Sequence, residues 1–165
     1  MRLSDSKVEK IKVSEYSGFI EKIDRDFINP MIGRSYFPGY YEFATKLLDS
    51  GVTVYIKDSI DLVAATTFYA DPKKYDYAHV PFTGVLASYR GKGLSSLLLN
   101  RRNELIKDLG MKGVISSCAK NNVKMRRALE GSGYELVEDQ EYIVTLKNVN
   151  RKDDWDKAFY VLNFQ

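Results

Sequence analysis

Apolar residues along the chain shift from helical to alternating spacing and back, and these shifts divide it into elements. Val8–Val13 alternates weakly and reads as an edge strand. Ser14 is placed to cap a helix running to about Ile28, with Phe19, Ile20, Ile23 and Phe27 on one face. Pro30, Gly33, Pro38 and Gly39 then break the chain into a loop, and Tyr40–Asp49 forms a second helix closed by Gly51. Val52–Lys57 and Leu62–Tyr69 are strands joined by a polar turn at Asp58 and Ser59. A loop at Asp71–Tyr77 precedes the strand His79–Ala87. Leu94, Leu97, Leu98, Leu105 and Leu109 mark a long helix that Gly110 ends. A buried strand at Val114–Cys118, a helix opened by Asn122, and strands at Leu136–Leu146 and Ala158–Phe164 complete the chain. The order is β-α-α-β-β-β-α-β-α-β-β, without repeats or low-complexity tracts, and 165 residues suit a single domain, 1–165.

The junction before the leucine-rich helix carries the chemistry. Arg90-Gly91-Lys92-Gly93-Leu94-Ser95 places a glycine turn between a strand and a helix start. Glycine lets the backbone approach a ligand closely. The first amides of the helix point outward at the positive end of its dipole, so the corner suits a phosphate. The alternative is a turn shaped by glycine with no ligand. The spacing lacks the Gly-x4-Gly-Lys-Ser/Thr of a P-loop, and Ser96 occupies the place of the third glycine in Gly-x-Gly-x-x-Gly, so neither nucleotide fingerprint is met.

Composition narrows the class. Hydrophobic residues make up 44% and charged residues 28%, ordinary for a globular protein. Lys plus Arg number 25 against 22 acidic residues, a net charge of +3 that suits an anionic cofactor. The surplus is too small, and basic stripes with interleaved aromatics too absent, to expect a nucleic-acid partner. Met1–Lys7 offers no apolar signal region and no stretch suits a membrane span; with Cys118 the single cysteine, the expectation is a cytoplasmic protein with no membrane partner. No metal ligands are assigned.

A second motif lies thirty residues beyond the first, in Asn121–Tyr134. Together the two segments resemble the GNAT superfamily of N-acetyltransferases. Arg90, Gly93 and, imperfectly, Ser95 match the family's Arg/Gln-x-x-Gly-x-Gly/Ala motif, while Asn122, Met125, Gly133 and Tyr134 match offsets of its second motif. The resemblance is good over about residues 78 to 146 and extends to the N-terminal half in layout. It implies an α/β fold with a central mixed sheet of about seven strands flanked by about four helices, whose central strands His79–Ala87 and Val114–Cys118 splay apart to admit a pantetheine arm.

The resemblance also assigns a cofactor, acetyl-CoA, and residues to hold it. Val85 and Ala87 would pair with the pantetheine amides. Pyrophosphate would rest on the amides of Gly91, Lys92, Gly93, Leu94 and Ser95, beside Arg90, with the Ser96 hydroxyl in reach. Backbone amides between Val85 and Ala87 would face a developing oxyanion. Asn122 would contact the cofactor or a nearby water, serve as an N-cap, or do both. His79, the only histidine, lies where some family members place a base; its intrinsic pKa suits proton removal near neutrality, and a structural strand-end role is the alternative.

Leu129 stands where many family members carry the Tyr that protonates the departing thiolate, and Leu has no proton to give. Core packing accounts for its side chain. Tyr134 is then the nearest substitute acid, unless the thiolate leaves unaided. Cys118 reads as a small buried hydrophobe rather than a nucleophile. Phe27, Tyr36, Phe37, Tyr40, Tyr41 and Phe43, with Arg34 and Glu42, form either an acceptor pocket or a helix-packing seam; Tyr36, Phe37 and Tyr40 are the pocket candidates. The acceptor is expected to be an amine on a small molecule or a protein, and a homodimer is compatible with the reading. Two functions remain: an N-acetyltransferase acting through a ternary complex, and an acyl-CoA-binding sensor or interaction module on the same fold.

Overall fold

A computed structural model describes residues 6–8, 11–33, 37, 39–138 and 157–164. Two compact units emerge. One holds the described residues up to Phe68 together with Phe82–Arg102; the other holds Tyr69–Pro81 together with the described residues from Asn103 onward.

In the first unit, helix α1 (Val13–Ile23) presents Tyr16, Phe19, Ile20 and Ile23, all buried, on one stripe. Lys12, not Ser14, occupies the N-cap, and no side chain caps the helix. Val13 therefore opens a helix instead of ending an edge strand. The pairing expected there falls earlier, where Lys7 and Tyr55 exchange backbone bonds of 2.7 and 2.9 Å; residues 9 and 10 lie outside the described residues. The helix does not stop near Ile28. A π-helical turn (Asp24–Ile28) leads into α2 (Asn29–Ile32), which Gly33 ends. Pro30 sits in the first turn of α2, where its missing N–H costs little, so it does not break the chain as expected. The π turn carries one extra residue, which rotates the helical face of the residues beyond it. Asp24, which opens the turn one helical turn after Ile20, is fully buried, and Phe27 leaves the expected stripe and is half-buried.

Helix α3 (Tyr40–Ser50) packs Ala44 and Leu47 into the same core. Strands β1 (Val52–Asp58) and β2 (Asp61–Tyr69) pair antiparallel from Val52↔Phe68 to Asp58↔Asp61. Every β2 residue from Leu62 to Phe68 is buried, because helices cover both of its faces. On one face the Tyr16 hydroxyl of α1 meets Thr67 Oγ1 at 2.7 Å, and Thr67 meets Thr53 at 2.6 Å. On the other, Arg102 reaches Thr66 from helix α4 (Leu94–Asp108).

In the second unit, the start of β3 (Tyr77–Val85) pairs in parallel with β4 (Gly113–Ala119), from Tyr77↔Gly113 to Val80↔Ser116. The next residue in β3 is Pro81, which has no N–H to extend a ladder. Strand β6 (Lys157–Asn163) pairs antiparallel with β4 along its whole length and, on its other edge, with the short β5 (Glu135–Val137). Ile115, Phe159 and Val161 form a buried cluster on one face, flanked by Tyr77 and Val137. Helix α5 (Val123–Gly131) buries Leu129. The strand order is β1-β2-β3-β4-β6-β5, a mixed sheet of six strands among the described residues. β5 begins where the Leu136 strand is expected; 139–146 lie outside the described residues.

Candidate functional site

The glycine turn is built from the end of β3 outward. Leu86 N–H donates to Val63 O at 2.9 Å, and Ala87–Tyr89 makes a single 3₁₀ turn that Arg90 N–H closes on the Ala87 carbonyl at 3.2 Å. Ala87 thus lies beyond the strand, which ends at Val85. This corrects the expected strand to Ala87 and removes the Leu86 amide from the stretch expected to face an oxyanion.

Gly91 and Gly93 adopt φ of 77° and 78°, a left-handed backbone that residues with a Cβ adopt at a cost. A Cβ added at either would meet no atom within 4 Å, so the loop faces open space. Leu94, almost fully buried, anchors the start of α4. The first intrahelical bond runs from Leu97 N–H to Gly93 O at 3.1 Å. The amides of Gly93, Leu94, Ser95 and Ser96 therefore precede the helical ladder at the positive end of its dipole. Such a helix start favours negative charge.

Both cations of the loop rest on aromatic rings. Lys92 Nζ lies 5.2 Å from the Tyr89 ring centroid, and the Tyr89 hydroxyl donates to the Asp58 carboxylate at the end of β1. That bond, with burial and the charges of Asp58 and Asp61 adding to it, raises the Tyr89 pKa. The Arg90 guanidinium lies 3.1 Å from the Phe27 ring centroid, while its Nε donates to Val85 O at 3.1 Å. Burial lowers the Arg90 pKa. Arg90 is therefore a tie between the helix, the strand end and the loop, not only a charge beside a ligand. Val85 O, expected to serve pantetheine, already accepts this bond.

In the second unit, the Asn122 side chain accepts the Met125 amide at 3.2 Å, so its capping role is real. Arg126 holds the preceding turn: its Nη1 donates to Lys120 O and its Nε to the Tyr160 hydroxyl, both at 2.9 Å. Tyr160 in turn donates to Glu130 at 2.9 Å. Leu129 is fully buried, as core packing requires. The Tyr134 hydroxyl donates to Asn103 Oδ1 at 2.7 Å and its side chain is almost fully buried, which argues against Tyr134 as the acid that Leu129 cannot be. His79 is half-buried in β3, opposite Ile115, with its ring 5.3 Å from that of Tyr75. Burial pushes the Cys118 thiol up to about 11 against a smaller lowering by Arg126, so it stays protonated and weakly nucleophilic.

The aromatic group in the first unit divides. Phe19 and Phe82 are core; Phe37 stacks on Phe43 at 4.5 Å, and Phe82 meets both edge-on. That is a packing seam. Tyr40 donates to Asp24 at 2.5 Å and Tyr41 is exposed, while Arg34 and Tyr36 lie outside the described residues.

The sequence model of the acetyltransferase (GNAT) family matches residues 20–134. The chain belongs to that family. The match contains the whole glycine turn, His79 and Asn122. This GNAT acetyltransferase is similar in fold to a GNAT-family acetyltransferase from Staphylococcus aureus Mu50, at 15% identity and a TM-score of 0.73 over 98% of this chain and 100% of that one. The ribosomal-protein-S18-alanine N-acetyltransferase of Escherichia coli aligns at 13% identity and a TM-score of 0.68, over 96% and 94% of the two chains. The PaiA N-acetyltransferase of Thermoplasma acidophilum, solved in complex with coenzyme A, aligns at 12% identity and 0.68, over 97% and 99%. No curated protein sequence matches the chain. Among the described residues no helix is long and apolar enough to cross a membrane.

Sequence reasoning missed Tyr89, Asp58 and Arg102, and saw Phe27 only as core or pocket. No local pattern announces any of these pairings, because each joins distant segments. The π turn carried one available signal, Asp24 within an otherwise apolar helical stripe.

Proposed function

We propose that this GNAT acetyltransferase is an acetyl-CoA-dependent N-acetyltransferase, a single domain over 1–165 that moves an acetyl group to a primary amine in a ternary complex. The observation that carries this reading is the pair of left-handed glycines, open to space, ahead of the α4 amides. Gly91, Lys92, Gly93, Leu94, Ser95 and Ser96 would hold the diphosphate, with Lys92 adding charge. Bound acetyl-CoA would supply a thioester, an acyl group already activated toward amines.

The chain's own residues would orient and discharge protons. The Val85 end of β3 offers backbone to the pantetheine arm, and Ala87 adds its amide from the 3₁₀ turn. Asn122, besides capping α5, would touch the cofactor or a water beside it. His79 would take the proton from the attacking amine, which must be neutral to react. With Leu129 apolar and the Tyr134 hydroxyl committed to Asn103, the thiolate would depart without an acid, as a thiol of ordinary pKa permits. The acceptor is an amine on a small molecule or a protein, the latter supported by the likeness to the S18-alanine enzyme. A cytoplasmic location and a homodimer fit the reading.

The buried Leu129 also favours a second reading, an acyl-CoA-binding sensor or interaction module with weak catalysis. Incubation with acetyl-CoA and a panel of amines separates the two. Amine-dependent release of free CoA supports the enzyme; tight CoA binding without release above hydrolysis supports the sensor.

A further inference from the structure

The contact between Phe27 and Arg90 gives the N-terminal helix a role at the donor loop. A regular helix would continue the buried stripe of Tyr16, Phe19, Ile20 and Ile23 through Phe27. At the π turn Asp24–Ile28, Asp24 is buried and accepts from Tyr40, while Phe27 is half-buried beneath the Arg90 guanidinium instead of continuing the stripe. Such single-turn insertions need a compensating reason, since they give up regular helical bonds. Here the ring takes one face of the guanidinium, and Val85 O takes Nε. Neither contact uses the Nη1–Nη2 edge. A planar cation fixed on one face and one edge has few remaining orientations, so the residue directly before Gly91 is held in place.

We propose that Phe27 is a positioning residue for the donor's diphosphate, acting through Arg90 to fix the start of the loop Gly91–Ser96. The inference rests on the reading that this loop holds the diphosphate. Its consequence is specific to donors that carry that group. The ring adds nothing to pantetheine or to the acceptor.

The test compares wild type with Phe27→Leu, Phe27→Tyr and Arg90→Lys. Coenzyme A affinity is read by calorimetry, and kinetics are run with acetyl-CoA and with S-acetylpantetheine, which lacks the diphosphate. Phe27→Leu is expected to weaken CoA binding and raise the acetyl-CoA KM about tenfold, with kcat at saturation changed less than about twofold, the size of one ring–cation contact. Phe27→Tyr keeps the ring and is expected to match wild type. Arg90→Lys keeps the charge but loses the planar face and Nε, and is expected to show the same loss as Phe27→Leu. S-acetylpantetheine kinetics stay unchanged in Phe27→Leu and Phe27→Tyr. An equal loss with S-acetylpantetheine in Phe27→Leu, a change there confined to the acceptor KM, or wild-type CoA affinity in Arg90→Lys overturns the proposal. Arg90→Lys carries the test if Phe27→Leu fails to fold. Failure of the wild-type chain to bind CoA sinks the donor reading itself, and this inference with it.

Discussion

Arg102 Nη1 donates to Thr66 Oγ1 at 3.1 Å, and both residues are fully buried. The same nitrogen reaches Thr83 Oγ1 at 3.2 Å, and Thr66 also meets Thr83 at 2.7 Å and Phe82 O at 3.2 Å. α4 is thus joined to two strands by hydroxyls that solvate a buried cation. Burying a guanidinium demands such acceptors. Thr66→Val keeps the shape and removes the oxygen. It is expected to destabilise the fold by about 1–3 kcal/mol, read as a lower midpoint in urea; an unchanged midpoint would show that the hydroxyl is dispensable.

Gly93 tests the loop by strain alone, since space around it is open. Alanine there meets the left-handed penalty of about 1–2 kcal/mol, and a β-branched residue meets more. Gly93→Val is expected to raise the CoA dissociation constant at least about tenfold while circular dichroism stays that of wild type. Retained affinity in a folded Gly93→Val protein would place the diphosphate elsewhere.

Asn122 has one role visible in its hydrogen bond and another proposed. Asn122→Asp preserves an oxygen for the Met125 amide, whereas Asn122→Ala does not. Alanine is expected to cost about 1 kcal/mol of stability and aspartate little. If the side chain also touches the cofactor, aspartate will weaken CoA binding without lowering the melting temperature. Coincident loss of stability and affinity only in the alanine variant would leave the cap as its sole role.

Cys118, with its thiol pushed up to about 11, is expected to label slowly. At pH 8 about one molecule in a thousand would carry the thiolate, far fewer than for an ordinary cysteine. Reaction with a disulfide reagent should therefore lag well behind a free thiol, and Cys118→Ala should keep turnover. Rapid labelling of the native protein, or loss of acetyl transfer in Cys118→Ala, would reopen a nucleophilic role.

Lys157 gives a pH-dependent signal. Burial brings its ammonium down to about 8 from 10.5. Between these values the unfolded chain holds a proton that the folded chain has released, so stability rises with pH through that window. Below about pH 8 both states are charged, and the penalty for burying the charge is fully present. Lys157→Met removes it. The variant is expected to exceed wild type in stability at pH 7, with the difference shrinking toward pH 10. Cys118 titrates in an overlapping range with the opposite slope, so the difference between the two proteins is the quantity to measure.

Much of the architecture was legible because it rests on local rules. The glycine turn at Arg90–Ser95, the leucines of α4 and the cap at Asn122 each arise from nearby residues, and the structure keeps them. The misjudged elements are those where local signals were weak or overruled. Ser14 is a good cap type, yet the helix starts one residue before it, at Val13. Pro30 normally interrupts a helix, but it falls within a new first turn, where its missing donor is harmless. Ala87 continues an apolar run, yet Leu86 bonds to Val63 and the chain turns before Ala87 can extend the strand.

From its order of residues alone, this protein declares its family, the order of its helices and strands from Tyr40 onward, and the place where glycines turn into a helix. Backbone freedom and side-chain period are properties of neighbours, so they survive in a linear reading. Folding alone decided that Asp24 goes inside while Phe27 turns to Arg90, that Tyr89 is held by Asp58, and that Thr66 and Thr83 solvate Arg102. Those pairings join segments tens of residues apart, and which partners meet is set by packing and register, quantities that no single stretch of sequence contains.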